Sequence, residues 1–237
     1  MQRILEARGV LLDLDGTLIS GDRALPGAAA LVARIGARCA IVSNDAEHTP
    51  LQLSRRLAQL GFALPATRIL LAGALAVEAV ATEHPGGRLL LLASAALQRH
   101  ARRQGLVPVQ EHPDVVLLGR DRRFNYDKLR QAANAVLRGA SLVVCNPDRT
   151  HPGPGGAVVP ETGALLSALL ACTGPVPHRM IGKPGPALFL EGVARLGTRR
   201  EETVMVGDNP ATDGVGATRL GIGFVPVPAG GFLDRAA

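Results

Sequence analysis

Residues 9–20 read GVLLDLDGTLIS. Val10, Leu11 and Leu12 form a short apolar run of the kind expected of a central parallel strand, buried on both faces. Asp13 and Asp15 break the run where it ends. An ionised carboxylate in an apolar interior costs several kcal/mol unless it is paired or binds a cation. Two of them at a strand end therefore point to a partner that is not an amino acid. Outward from this stretch the pattern repeats. PGAAALVARIGA (26–37) has Pro near its start and Gly near its end, which frames a helix. CAIVSND (39–45) reads as the next strand, and TPLQLSRRLAQLGF (49–62) carries Leu53, Leu57 and Leu60 at helical spacing. Strand, helix, strand, helix implies parallel crossovers and an α/β doubly wound parallel sheet, a Rossmann-like core.

The character changes near Pro85. GGRLLLLAS (86–94), DVVLLGRD (114–121) and ASLVVCNPD (140–148) read as strands, with an amphipathic helix in YDKLRQAANAVLRG (126–139). A Gly/Pro-rich loop, PDRTHPGPGGAVVPETG (147–163), leads into the helix ALLSALLACTG (164–174). HRMIG (178–182) and ETVMVGDN (202–209) then resume the first pattern. The expected division is a core of residues 1–85 and 179–237 with a smaller inserted α/β cap domain, 86–178.

Composition narrows the function. The chain has 237 residues, 47% hydrophobic and 19% charged, which fits a soluble globular protein and not a disordered one. The net charge is +6, and the cations are arginines apart from Lys128 and Lys183. Aromatic residues are only 3%, too few to interleave with the scattered arginine pairs, so the stacking platforms of a single-strand nucleic-acid site are missing. Cys39, Cys145 and Cys172 lack CxxC spacing, which fits a reducing cytoplasm better than a disulfide framework or zinc site. No apolar stretch is long enough to span a bilayer, and the first one is too short and too acidic for a signal peptide. A cytoplasmic protein with neither nucleic acid nor membrane as partner is the expectation.

Ligands of open parallel sheets bind at the carboxyl ends of the strands. Four such ends carry reactive side chains: Asp13 and Asp15, Ser43 and Asn44, Lys183 in GKP, and Asp208 in GDNPATD (207–213). Each alone reads as a turn or helix cap, and Asp213 alone as an acid favoured by a helix dipole. Together they supply what phosphoryl transfer requires. Three carboxylates near one point repel each other unless a divalent cation is present, and Mg²⁺ suits oxygen donors that have no His or Cys among them. A lysine, a hydroxyl and backbone N–H groups can hold phosphate oxygens. With no Ser-His-Asp or Cys-His arrangement, a carboxylate is the natural nucleophile.

DLDGT, VSN, GKP and GDNPATD, in that order, resemble the four signature motifs of the haloacid dehalogenase superfamily. The inserted region with CNPD and the TGAL helix resembles the cap of the NagD-like and p-nitrophenyl-phosphatase-like branch. The resemblance implies that Asp13 attacks phosphorus and that Asp15 serves as general acid and then base. It implies that Ser43, with Asn44 beside it, hydrogen-bonds the phosphate, that Lys183 neutralises phosphate and nucleophile, and that Gly16 lets the backbone approach closely. Mg²⁺ would lie on Asp13, the main-chain carbonyl of Asp15 and Asp208, with Asp213 and Asn209 behind them. Asn146, Asp148 and His151 of the cap loop are candidates for touching the leaving group.

Two features depart from the branch. Asp45 stands where relatives more often carry a neutral residue, and an acid there weakens phosphate binding unless it faces the leaving group or solvent. The chain also ends soon after GFVPVPAGGFLDRAA (223–237), which leaves one sheet edge short or covered by a partner, with a homo-oligomer as the candidate. The leading function is a Mg²⁺-dependent phosphatase of small soluble phosphomonoesters: nucleoside monophosphate, phosphoglycolate, glycerol or sugar phosphate, or pyridoxal phosphate. The alternatives are a phospho-accepting signalling receiver, which the inserted region and Asp15 argue against, and a catalytically silent phosphate-binding protein.

Overall fold

The structure is a computed structural model that describes residues 1–227 and Phe232. The chain forms two compact units. The first holds residues 1–43, 50–71 and 183 onward, and the second holds residues 44–49 and 72–182.

In the first unit five parallel strands lie in the order Gly223–Pro226, Thr203–Gly207, Gly9–Leu12, Cys39–Ser43 and Ile69–Leu71. Val10, Leu11 and Leu12 are fully buried, as a central strand covered on both faces requires. Helices Pro50–Gln59 and Ala187–Leu196 pack on this sheet, and the second rests directly on the Gly9–Leu12 and Cys39–Ser43 strands. From Gly9–Leu12 the chain builds outward to Cys39–Ser43 and Ile69–Leu71, and later to the other side through Thr203–Gly207. The strand order thus reverses at Gly9–Leu12, the point beside which doubly wound sheets bind their ligands. Among the described residues Gly223–Pro226 forms one edge of the sheet. The expectation about the chain's tail concerns residues 228–231 and 233–237, which lie outside the described residues.

The second unit has its own parallel sheet, ordered Arg179–Met180, Ser141–Val144, Val115–Leu118, Arg88–Leu92 and Val107–Pro108. Leu90, Leu92, Val116, Leu118, Leu142 and Val144 join Leu166 and Leu169 in one apolar cluster, over which helices Tyr126–Leu137 and Thr162–Thr173 pack on each other. The alternate residues Leu89, Leu91, Val115 and Leu117 are buried as well, as two-residue periodicity requires of a sheet covered twice. Helices Ala72–Glu83 and Ala95–Arg103 pack on each other and against this unit's strands.

The observed divisions differ from the sequence expectation at both ends. The first falls after Leu71, not Pro85, because helix Ala72–Glu83 packs with helix Ala95–Arg103. The second falls after Gly182, because Arg179–Met180 pairs in parallel with Val143–Val144 and so completes the second sheet instead of resuming the first. The expected loop 147–163 contains an antiparallel hairpin, Thr150–Pro152 with Val158–Pro160. All three cysteines carry free thiols; Cys39 and Cys145 are buried and Cys172 is exposed. Among the described residues no helix is long and apolar enough to cross a membrane.

Candidate active site

Asp13 stands one residue past the Gly9–Leu12 strand. Leu12 is in register with Val206, and the Asp13 N–H donates to the Val206 carbonyl at 2.9 Å, so the ladder carries Asp13 to the end of the Thr203–Gly207 strand. The chain then turns: the Leu18 and Ile19 N–H groups donate to the Leu14 carbonyl at 2.8 and 3.0 Å. That turn brings the Thr17 hydroxyl back to donate to Asp13 Oδ2 at 3.1 Å. Lys183 Nζ donates to Asp13 Oδ1 at 2.5 Å and lies 2.7 Å from Asp213 Oδ1. Lys183 is 2% exposed and Asp13 8%. Asp208 follows the Thr203–Gly207 strand, and oxygens of Asp13, Asp208 and Asp213 lie within 4.8 Å of one another.

Backbone geometry makes this crowding possible at two glycines. Gly16 has φ +81°, and a Cβ there would stand 2.1 Å from Asp208 Oδ2. A Cβ on Gly207 would stand 2.1 Å from Asp213 Oδ2. Asn209 braces the turn that carries Asp213. Its Oδ1 accepts from the Ala211 N–H at 3.0 Å, and its own N–H donates to Asp213 Oδ2 at 3.3 Å. Replacing Gly207 by Ala is expected to push Asp213 aside and to weaken Mg²⁺ binding by about 10–100-fold, the usual effect of losing an outer-shell partner. Titration calorimetry with Mg²⁺ checks this, and unchanged affinity would contradict it.

The electrostatics favour a cation. Burial alone would lower the Lys183 pKa, but the charges of Asp13 and Asp213 raise it, so the lysine stays protonated. Burial pushes the Asp213 carboxyl up to about 6, opposed by Lys183 and assisted by Asp13. Asp208 is raised as well, by burial and then by Asp13. Three carboxylates against one ammonium leave an excess of negative charge that a divalent cation relieves. The donors are all oxygen, with neither His nor Cys in the cluster, so the site fits Mg²⁺ better than Zn²⁺.

The first unit therefore brings together Asp13, Asp208, Asp213 and Lys183, with Gly16 and Asn209 shaping the cluster. Ser43 is buried at the end of the neighbouring strand. The Asp15 carboxylate is not among the clustered acids. Asp15 is exposed on the turn and bridges through its backbone to Ile19.

The remaining candidates belong to the second unit. Asn44 Nδ2 donates to Asp148 Oδ2 at 3.0 Å, and Asn146 Nδ2 donates to the Asn44 carbonyl at 2.6 Å. Asp45 Oδ1 accepts the N–H groups of Glu47 and His48 at 2.8 and 2.7 Å, and Asp45 Oδ2 lies 2.7 Å from His48 Nδ1. Burial would raise the Asp45 pKa, but the His48 bond and charge, with the two N–H donors, hold it below the ordinary carboxylate range. The acid that looked anomalous in the sequence thus closes a turn of the 44–49 segment. His151 Nε2 lies 3.4 Å from Glu161 Oε1.

Sequence reading missed four partners in these clusters. Thr17 lay in DLDGT, where the motif itself was the signal. Glu47, Arg120 and Glu161 form an ion cluster, with Arg120 Nη1 at 3.0 Å from Glu47 and 3.3 Å from Glu161. The signal for Arg120 was its position just past the Val115–Leu118 strand, an end like that before Asn146; Glu47 and Glu161 had none.

A family model for haloacid dehalogenase-like hydrolases matches residues 7–221. A dihydroxyacetone phosphatase of Corynebacterium glutamicum is 29% identical over 223 residues, 93% of this chain and 80% of that one. Among solved structures, a p-nitrophenyl phosphatase from Archaeoglobus fulgidus superposes with a TM-score of 0.89 at 26% identity, covering 95% of this chain and 87% of that one. Glycerol phosphate phosphatase from Mycobacterium tuberculosis, solved with magnesium, gives 0.87 at 32% identity over 95% of this chain and 68% of that one. An acidic cluster at the reversal point of a parallel sheet, within a match over nearly the whole chain, has one reading: the chain belongs to the haloacid dehalogenase-like hydrolase family.

Proposed function

We propose that this hydrolase is a Mg²⁺-dependent phosphatase that cleaves small soluble phosphomonoesters through an aspartyl-phosphate on Asp13. The observation that carries the reading is Asp13 itself, a buried carboxylate held by Lys183 and Thr17 within 4.8 Å of Asp208 and Asp213. Held at both oxygens, it is oriented before substrate arrives, which removes part of the entropic barrier to attack.

The steps follow from the residues. Asp13 attacks phosphorus as the bond to the leaving oxygen breaks, and Asp15, exposed on its turn, gives that oxygen a proton. Asp15 then takes a proton from water as the water attacks phosphorus, and the bond to Asp13 breaks to return the free carboxylate. Lys183, kept protonated by its two carboxylates, compensates negative charge on the transferring group. Ser43, with Asn44 next in the chain, donates to the phosphate oxygens. Asp13, Asp208 and the Asp15 carbonyl would hold Mg²⁺, Asp213 and Asn209 would support them, and the ion would neutralise phosphate oxygens.

Asn44, Asp45, Asn146, Asp148 and His151 are the cap-side residues for the leaving group in this reading, with Asp45 acting through its turn. Glycerol, triose and sugar phosphates stand first among the substrates, since the relatives above act on dihydroxyacetone phosphate and glycerol phosphate. The free thiols of this chain suit an enzyme of the cytoplasm.

The test is release of inorganic phosphate from p-nitrophenyl phosphate and a panel of phosphorylated metabolites, with Mg²⁺ and after chelation. Turnover is expected to fall to background on chelation and to return when Mg²⁺ is restored. Turnover indifferent to the metal, or none with any compound by a folded protein, would overturn the reading.

A further inference from the structure

We propose that Arg120 is a positioning residue for the reaction, fixing the 44–49 segment against the Glu161 and His151 side of the second unit so that Asn44, Asp148 and His151 keep one arrangement. Its kinetic consequence rests on the phosphatase reading, while its structural content stands without it.

The 44–49 segment follows directly on Ser43 and leads into helix Pro50–Gln59, both of the first unit, yet it belongs to the second. Neutral bonds hold its backbone there. The Gly73 N–H donates to the Asp45 carbonyl at 2.9 Å, and Ser94 Oγ donates to the Glu47 carbonyl at 2.5 Å. The charged anchor is Arg120, whose Nη1 meets both Glu47 and Glu161. Its Nε is buried with no acceptor among the described residues, and Nη1 is the nitrogen that meets the two carboxylates. Arg122 also reaches Glu47, but at 3.7 Å from a side chain 73% exposed, where an ion pair is worth little.

Glu161 carries the connection further. Its N–H donates to the Arg149 carbonyl at 2.9 Å next to the hairpin strand of His151, and its carboxylate stands beside His151. Helix Thr162–Thr173 begins at the next residue. One guanidinium therefore ties together the segment, the hairpin and the helix. Without it, Glu47 and Glu161, with side chains only 21% and 12% exposed, would confront each other as like charges in a partly desolvated setting.

This gives a signature that mere loss of packing does not. The charged groups around Glu161 are Arg120, His151, Asp45 and Asp148, with Glu47 on the other side of the shared Arg120 Nη1, and the Thr162 N–H bonds to it. Burial pushes the Glu161 carboxyl up to about 7, with Arg120 opposing and Asp45 and Asp148 adding. A carboxyl raised in the folded state holds its proton as pH falls below that value and becomes charged above it. Repulsion in an Arg120→Met variant is thus present at high pH and relieved at low pH.

The experiment compares wild type, Arg120→Met, Arg120→Lys and the double variant Arg120→Met/Glu161→Gln at about pH 6 and about pH 8.5. Each is measured for KM and kcat on glycerol 3-phosphate with Mg²⁺, and for hydrogen exchange of the 44–49 amides. For Arg120→Met at the higher pH, KM is expected to rise about tenfold with kcat within about threefold, and exchange to quicken about tenfold. At the lower pH both effects shrink as the repulsion is relieved, and the double variant, which removes the repulsion but not the lost tie, recovers that pH-dependent part at the higher pH. Arg120→Lys, which keeps the charge but reaches one carboxylate at a time, falls between and serves if the Met variant does not fold. Effects equal at both pH values, no rescue by Glu161→Gln, or unchanged exchange would overturn the proposal. Absence of turnover in wild type would overturn the phosphatase reading, leaving exchange to decide the role of Arg120.

Discussion

Asp13→Asn is expected to lower kcat by at least about 10⁴-fold while the protein stays folded. The substitution keeps the size of the side chain and leaves a carbonyl oxygen to accept from Lys183 or Thr17, so the strand end is preserved. It removes the nucleophile, because an amide oxygen does not form the covalent intermediate. It also removes one of three negative charges from the acidic cluster, so Mg²⁺ affinity falls in parallel. Steady-state phosphate release at saturating Mg²⁺, beside a melting curve, separates the two effects. Turnover within about tenfold of wild type would mean that some other group attacks phosphorus.

Lys183→Met is expected to damage stability and chemistry together. The ammonium is 2% exposed and lies against both Asp13 and Asp213, so its removal leaves two buried carboxylates uncompensated. Breaking a buried pair from one side costs about 3–5 kcal/mol. For a chain of this size that lowers the melting temperature by roughly 10 °C, measured after chelation. Added Mg²⁺ is expected to recover part of the loss, since a divalent cation relieves the same repulsion. In kcat the loss of this cation is worth about 10²–10³-fold, the scale of removing one electrostatic stabiliser. A variant as stable as wild type without metal would show that Asp13 and Asp213 do not depend on the lysine.

The centre of the first unit was legible because its sequence is under two constraints at once. Gly9–Leu12 had to be apolar on both faces, and the acids that follow it had no apolar explanation, so the fold and the candidate site were announced by the same residues. Lys183 stood out because lysine is so scarce in this chain. Helix Ala72–Glu83 was hidden for the opposite reason. AGALAVEAVATE is small and apolar on nearly every side, so no polar face marked it as a helix or tied it to either unit. Arg179–Met180 is too short for periodicity to register, and only its pairing with Val143–Val144 assigns it to the second sheet.

Asp45 illustrates a different limit. Read along the chain it was an acid beside a phosphate-binding hydroxyl, but its partners are two backbone N–H groups and His48, which become visible only once the turn is formed. Arg120, Glu47 and Glu161 come from distant parts of the sequence and match no motif, so only the fold brings them together.

The central claim is that the carboxylate ending the Gly9–Leu12 strand carries the phosphoryl group during turnover. The most direct measurement is rapid acid quench of the Mg²⁺-loaded enzyme with phosphate-labelled substrate, followed by peptide mapping of the label. The account predicts label on the peptide that contains Asp13, gained and lost within the turnover time, and none in Asp13→Asn. Active turnover with that peptide unlabelled, or with the label on another residue, would contradict it.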